Sequence, residues 1–189
     1  MFFSNLFTAQ IGYCSLIPSR SASASLLTCL NRQRLSVVSN YLTNHNPGYK
    51  SYNITDDKIP DDSSVYNAGG RGYPDLSAWG YYGVLTLGGT QTREGGTSMS
   101  APLVAAIFNR INEERPKAEK GTVAFVNPTL YAHPEIFNGL TIGNQKGGGR
   151  YGHGCLGSDG FSAVPGWDPV TGLGTPNYTK FVSVFSALQ

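Results

Sequence analysis

Residues 95–112, GGTSMSAPLVAAIFNRIN, form the stretch of sequence that decides the fold. Leu103, Ile107 and Ile111 recur at the spacing of one face of an α-helix. Two glycines precede this apolar run, and Pro116 follows it. Because proline cannot continue a helix, we predict one well-defined helix that starts near Thr97 and stops before Pro116.

The first turn of this helix carries Ser98, and two interpretations of its hydroxyl stay open. Backbone N–H groups at a helix start are unpaired and lie at the positive end of the dipole, so they can stabilise a developing oxyanion. The preceding glycines leave room for a substrate backbone. Ser98 therefore suits an acyl-transfer nucleophile. In the other interpretation, Thr97 or Ser98 only caps the helix.

The composition indicates one folded domain and excludes several classes of protein. The chain has 189 residues, of which 40% are hydrophobic and 14% charged. A net charge of +2 gives no support for nucleic-acid binding, and no apolar run is long enough to cross a membrane. Residues 1–55 contain no Asp or Glu. A mechanism that needs an early carboxylate therefore finds none in that part of the sequence.

The chain divides into a poorly defined start and a better patterned remainder. Residues 1–34 show no sustained period, whereas residues 35–43 are predicted to form a short helix. A second helix is predicted at the end of the chain, capped by Asn177 or Thr179. The three cysteines, an odd number without metal-like spacing, indicate neither a metal site nor a redox compartment.

Four separated motifs together resemble the sedolisins, the serine-carboxyl peptidases that include the tripeptidyl-peptidases. They are RGYPDLSAWG (71–80), the 95–112 stretch, VNPTLYAHPEIFN (126–138) and GWDPVTGLGTPN (166–177). Their order and spacing agree with the family over residues 66–189. We therefore predict that residues 35–189 are the C-terminal part of such a catalytic domain, and that residues 1–34 do not match it.

The resemblance implies an α/β fold of the subtilisin kind, with three layers and a largely parallel sheet. The Ser98 helix should be central and buried. Because the strands that lie upstream in the family have no match here, we expect an incomplete sheet with an uncovered edge. We therefore expect marginal stability or aggregation of the isolated chain.

The resemblance also assigns the nucleophile to Ser98, with peptides or proteins as substrates at acidic pH. In the family a glutamate is the base, an aspartate orients it, and a second aspartate serves the oxyanion. This chain has no matching motif; its acids between residue 55 and Ser98 are Asp56, Asp57, Asp61, Asp62, Asp75 and Glu94. Asp75 belongs to a motif that is structural in the family. We therefore expect little activity from the chain alone; the alternative is a non-catalytic structural or binding remnant.

The family further implies an extracellular or acidic vacuolar or lysosomal location. The N-terminus lacks the basic and continuous apolar regions of a signal peptide. A histidine-based triad has weak support. No acid precedes His45, as the subtilisin order requires, and Ser98, Glu135 and His153 lack the G-x-S-x-G elbow of α/β-hydrolases.

Finally, the resemblance implies one Ca²⁺ site near the C-terminus. Asp168 matches one carboxylate ligand, while Gly166, Val164 and Leu140 match positions that offer carbonyl oxygens. Gly139 stands where the family has a second aspartate, so we expect weakened calcium affinity. Alternatively, Asp168 only caps backbone N–H groups of its own turn.

Overall fold

A computed structural model of the protein describes residues 36–51, 65–66, 72–145 and 160–188. The helices are α1 (36–45), α2 (Thr97–Glu114), α3 (Asn127–Ala132) and α4 (Tyr178–Ala187). The strands are β1 (Lys50–Ser51), β2 (Val65–Tyr66), β3 (Gly83–Leu87), β4 (Thr90–Glu94), β5 (Phe137–Asn138) and β6 (Thr175–Pro176). Short 3₁₀ helices span Pro116–Ala118 and Pro134–Ile136.

Helices and small sheets together confirm the α/β class, but the described strands do not form the largely parallel sheet that was expected. Among the described residues, parallel pairing is limited to β1 and β2, with two residues in each strand. The β3–β4 and β5–β6 pairs are antiparallel. The boundary predicted at residue 34 lies outside the described residues.

The β3–β4 hairpin lies directly before α2 in the chain. Its two-residue turn is Gly88–Gly89, and both glycines have positive φ (57° and 81°). A turn with two positive φ values matches the twist of paired strands and favours glycine. The hairpin ends at Glu94, so only Gly95 and Gly96 separate it from α2.

The buried core lies where α4 packs against α2 and the Pro134–Ile136 turn, and it extends to residues of α3 and α1. Phe181 and Phe185 of α4 are completely buried, as their helical spacing predicts. Ile111 of α2, Leu130 of α3 and Tyr41 of α1 belong to the same cluster. The Asn177 side chain caps α4 by accepting a hydrogen bond from the Lys180 N–H (3.3 Å), which confirms the predicted cap.

The expectation of a central, buried α2 is wrong for this structure. Ser100 and Ile111 are its only buried residues, and Leu103 is 42% exposed. The physical reason is the limited sheet, because the described strands do not form a layer that could cover this helix. The predicted end of α2 is confirmed, since a 3₁₀ turn replaces the helix at Pro116.

Among the described residues, no helix has both the length and the apolar character needed to cross a membrane.

Candidate functional site

Ser98 is the second residue of α2, and its side chain is exposed. The residue before the helix is Gly96, which has no side chain to cap with and adopts a φ of 151°. No side-chain cap bond is made at this end of the helix. The capping interpretation of Thr97 and Ser98 is therefore wrong, and the Ser98 hydroxyl is not used to start the helix.

Two hydrogen bonds hold the backbone on either side of Ser98. The Gly96 N–H donates to the Gly80 carbonyl (2.6 Å), and the buried Ser100 hydroxyl donates to the Ala78 carbonyl (3.1 Å). The donors lie two residues before and two residues after Ser98. These two hydrogen bonds hold both ends of the first turn of α2 against residues 78–80, and Ser98 between them is exposed to solvent.

Gly95 and Gly96 are required where the chain enters α2. A Cβ at Gly95 would lie 3.2 Å from the Gly80 carbonyl oxygen and 3.3 Å from the Tyr81 ring. Gly96 adopts a positive φ that side chains rarely tolerate. Substrate access was the reason expected for these glycines, and the structure adds a packing reason.

Within the described residues, no carboxylate or imidazole forms a hydrogen bond with the Ser98 hydroxyl. Asp75 has the structural role that was predicted, because it accepts hydrogen bonds from the Tyr131 hydroxyl (2.7 Å) and the Asn127 amide (3.1 Å). The Asp75 carbonyl also accepts from the Leu173 N–H (3.0 Å). Asp75 therefore joins the 72–78 segment to α3 and to the 166–174 turn.

The histidine-based alternative combines Ser98, Glu135 and His153, and the surroundings of Glu135 give it no support. Glu135 is exposed and lies 2.8 Å from the His133 ring nitrogen. Backbone hydrogen bonding and His133 lower the pKa of Glu135. Glu135 therefore pairs with its neighbour rather than with Ser98, and His153 lies outside the described residues.

A cavity of about 400 Å³ lies between α2, α3 and the 73–76 segment. Ala101, Val104 and Phe108 form its α2 wall, while Asp75 and Asn127 supply polar atoms. Ala101 is three residues from Ser98, a rise of about 4.5 Å along a helix. An apolar space therefore lies within one helical turn of the exposed hydroxyl.

Asp168 is completely buried and holds its own turn together. Its Oδ1 accepts hydrogen bonds from the N–H groups of Thr171 (2.7 Å) and Val170 (2.9 Å). Its Oδ2 accepts from the Val164 N–H (3.2 Å), and the Thr171 hydroxyl approaches both oxygens. Burial raises the pKa of Asp168 to about 6, and these hydrogen bonds oppose that shift.

This arrangement fits a calcium site poorly. Both Asp168 oxygens already accept hydrogen bonds, and the Val164 N–H points at the carboxylate. Gly166 has a positive φ of 90°, and a side chain at Gly139 would meet open space. In the described ranges, no three His, Cys, Asp or Glu residues are grouped as metal ligands would be. The calcium expectation, with Leu140 among its carbonyl donors, stays a prediction.

Sequence reasoning missed the roles of Ser100 and of the 78–80 segment. In the sequence, Ser100 stands out only as part of the first helical turn. Its bond to Ala78 joins residues 22 positions apart, which helical periodicity cannot reveal. The motif SAWG (77–80) was noted in the sequence, but nothing in it indicated that these residues lie next to the first turn of α2. Cys14, Cys29 and Cys155 lie outside the described residues.

The chain is similar in sequence to curated peptidases from fungi. The chain is 47% identical over 152 residues to tripeptidyl-peptidase sed1 of Aspergillus fumigatus, covering 80% of this chain and 22% of the relative. It is 43% identical over 148 residues to aorsin of Aspergillus oryzae, covering 78% and 21%. The chain thus spans about a fifth of the length of these curated relatives.

A solved structure of Pseudomonas sedolisin, a serine-carboxyl proteinase, overlays with a TM-score of 0.41 and 21% identity. The overlay covers 74% of this chain and 35% of that chain. Because the TM-score and the identity are low, the family assignment depends on the sequence relatives. No protein-family model matches the chain.

Proposed function

The chain belongs to the sedolisin family of serine-carboxyl peptidases, and we propose that it carries the nucleophile of a peptidase site at Ser98. The observation that supports this proposal most is the exposed Ser98 hydroxyl at the start of α2, free of any capping role. In the proposed reaction the Ser98 oxygen bonds to a substrate carbonyl carbon, and its proton passes to a base. The protonated base gives this proton to the leaving amine as the peptide C–N bond breaks, and water later releases the acyl group from Ser98 as a carboxylic acid.

The chain's own residues would bind, orient and polarise the substrate. The hydrogen bonds of Gly96 and Ser100 hold the first turn of α2 in place, so the Ser98 backbone keeps one position relative to the helix N-terminus. Thr97 and Ser98 lie in that first turn, where backbone N–H groups have no intrahelical acceptor. These N–H groups would stabilise the oxyanion that forms when the carbonyl is attacked.

The described residues include no carboxylate or imidazole in hydrogen-bond contact with Ser98 that could serve as the base. The described acids that precede Ser98 are Asp75, which is engaged by Tyr131 and Asn127, and the exposed Glu94. Removing the base of a triad costs several orders of magnitude in rate. We therefore propose little or no hydrolysis by this polypeptide alone, and peptide hydrolysis at acidic pH where a carboxylate base is supplied. An extracellular or acidic compartment would suit such an activity.

A chimaera separates the nucleophile from the missing base. Residues 72–188 of this chain would replace the matching part of tripeptidyl-peptidase sed1, whose relatedness makes the exchange feasible. We expect the chimaera to hydrolyse an unblocked peptide at about pH 4, where a glutamate base is partly ionised. Ser98→Ala in the chimaera should abolish hydrolysis, while Ser183→Ala on α4 serves as the matched control.

The unfused chain should show no Ser98-dependent cleavage under the same conditions. Cleavage by the unfused chain that Ser98→Ala abolishes would show that it contains its own base. A folded chimaera that is inactive, or one that keeps full activity after Ser98→Ala, would instead favour the non-catalytic remnant.

A further inference from the structure

We propose that Trp79 determines substrate specificity by packing against an aromatic or large aliphatic side chain of a peptide bound at Ser98. This inference rests on the proposed function, because it places a substrate at the Ser98 hydroxyl. It goes further by naming the side chain that the site selects and the residue that selects it.

The position of Trp79 follows from the two hydrogen bonds that hold the first turn of α2, which carries Ser98. The Ala78 carbonyl accepts from Ser100, and the Gly80 carbonyl accepts from Gly96. Trp79 lies between these two acceptors, just as Ser98 lies between the two donors. The backbone of Trp79 therefore runs directly alongside the nucleophile.

Trp79 is exposed although most of its neighbours are buried. Its side chain is 46% exposed, whereas Ala78 is 2% exposed and Gly80 is buried. The described residues provide Trp79 with no ring contact or hydrogen-bond partner. An exposed tryptophan on the segment that runs along the first turn of α2 offers a large apolar face that gains free energy when a ligand covers it.

Tyr81 and Tyr82 follow Trp79 closely in the chain, and we call these three residues the aromatic rim. The Tyr81 and Tyr82 ring centroids are 4.1 Å apart, and Tyr82 is 54% exposed. Arg93 on β4 lies over the Tyr82 ring at 5.9 Å. The Tyr81 ring also lies against Gly95, the first residue after the hairpin. The aromatic rim is therefore continuous with the entrance to α2.

The chemistry of this surface favours an apolar ligand. Aromatic pairs add about 0.5–1.5 kcal/mol beyond the burial of area, which corresponds to about a twofold to twelvefold gain in affinity. The cation at Arg93 makes the Tyr82 end unsuitable for a lysine or arginine side chain. We therefore expect the aromatic rim to prefer phenylalanine, leucine or similar residues next to the scissile bond.

Peptide binding to the full chain tests this inference without any catalysis. The Ser98→Ala variant would be titrated with unblocked hexapeptides of alanine in which a single phenylalanine occupies each position in turn. Acrylamide quenching would report Trp79 selectively, because Trp167, the second tryptophan, is only 4% exposed. We expect one phenylalanine position to bind about fivefold to tenfold more tightly than all-alanine peptide and to protect Trp79 from quenching.

Variants at position 79 complete the test. Peptide binding to the Trp79→Ala variant would be measured by calorimetry. This variant should lose the preference for phenylalanine, and Trp79→Phe should keep most of it. Thermal unfolding should stay unchanged in both variants, because the side chain is exposed. A peptide series with lysine in place of phenylalanine should show no preferred position.

Several results would overturn the inference. They are equal affinity for all peptides, no binding at millimolar peptide, a preference that survives Trp79→Ala, and peptide-free protection of Trp79 that grows with protein concentration. The last result would mean that a second copy of the chain covers the ring. None of these readouts depends on Ser98 chemistry, so an inactive chimaera would contradict the proposed function and leave the binding result standing.

Discussion

At the scale of single residues, two polar side chains have opposite surroundings: Ser98, the proposed nucleophile, and Asp168, which holds a turn together. The Ser98 hydroxyl is exposed and takes no part in capping, whereas the Asp168 carboxylate is completely buried and accepts hydrogen bonds on both oxygens. The first arrangement leaves a group available for chemistry. The second uses a charged group to hold a turn, and it determines how stability responds to pH.

Asp168 should make the chain more stable in acid. Burial raises its pKa from 3.8 to about 6, so the folded state binds more protons than the unfolded state between these values. The free energy of unfolding should therefore increase as pH falls from about 7 to about 4, and change little below that. Urea unfolding of the unmodified chain and of Asp168→Asn at several pH values measures this.

The difference between the two curves isolates the Asp168 carboxyl, because the amide that replaces it in Asp168→Asn cannot titrate. A difference that is flat, or that grows in the opposite direction, would show that the hydrogen bonds outweigh burial. Asp168→Ala should be worse than Asp168→Asn at every pH. It leaves three backbone N–H groups without acceptors, at a cost of at least about 3 kcal/mol.

Calcium should bind weakly at this turn or not at all. The described carboxylate is engaged by N–H donors, and Gly139 supplies no second charge. Calorimetry with Ca²⁺ should give equal, negligible heats for the unmodified chain and for Asp168→Asn. A saturable heat that only the unmodified chain produces would establish the site that the family resemblance implies.

At the scale of elements, the sequence predicted the helices well and the contacts between them poorly. The stripe in residues 103–111 and the stop at Pro116 predicted α2, and Asn177 predicted the start of α4. Helical periodicity shows which face of a helix is apolar but not whether anything covers it. The burial of α2 was therefore overestimated, and the link from Ser100 to Ala78 was not foreseen.

The ends of α2 and α4 are joined by Arg115, whose role was also not predicted. Its guanidinium is buried and donates to the carbonyls of Gly121 (2.5 Å), Leu188 (3.1 Å) and Phe185. Lys120 donates to the Ser186 carbonyl (2.7 Å) at the same helix end. These cations satisfy the last carbonyls of α4, which have no intrahelical donor.

Arg115→Ala should lower the free energy of unfolding by about 2–4 kcal/mol, because several buried carbonyls lose charged donors. Arg115→Lys should recover part of this loss. Lys120→Ala should cost about 1 kcal/mol or less, since Lys120 lies closer to solvent. Urea unfolding at one pH compares the three variants, and equal effects at both positions would contradict the assigned role of Arg115.

At the scale of the whole molecule, much apolar surface remains uncovered by the described residues. The large exposed side chains are Trp79, Tyr82, Val84, Leu85, Leu87, Leu103, Phe125, Ile142 and Tyr178. Monomeric proteins rarely leave large contiguous apolar patches exposed. The motifs predicted the family and Ser98, but no local pattern in a chain spanning a fifth of its relatives' length reveals what covers this surface.

The isolated chain should therefore associate as its concentration rises, through the part of this surface that includes Leu87 and Leu103 rather than through Trp79. We expect sedimentation velocity to show species larger than the monomer, and Leu87→Gln with Leu103→Gln to reduce them. A monomer at all concentrations, with one sharp thermal transition, would show that the exposed surface needs no partner.

The role of Ser98 is tested most sharply by the site at which a serine-directed phosphonylating reagent reacts in the active chimaera. Trypsin should release residues 94–110 as one peptide, since Arg93 and Arg110 flank it. Fragmentation of that peptide assigns the added mass to Thr97, Ser98 or Ser100. We expect stoichiometric labelling of Ser98 that removes activity in parallel. Labelling of any other residue, or loss of activity with Ser98 unmodified, would contradict its assignment as the nucleophile.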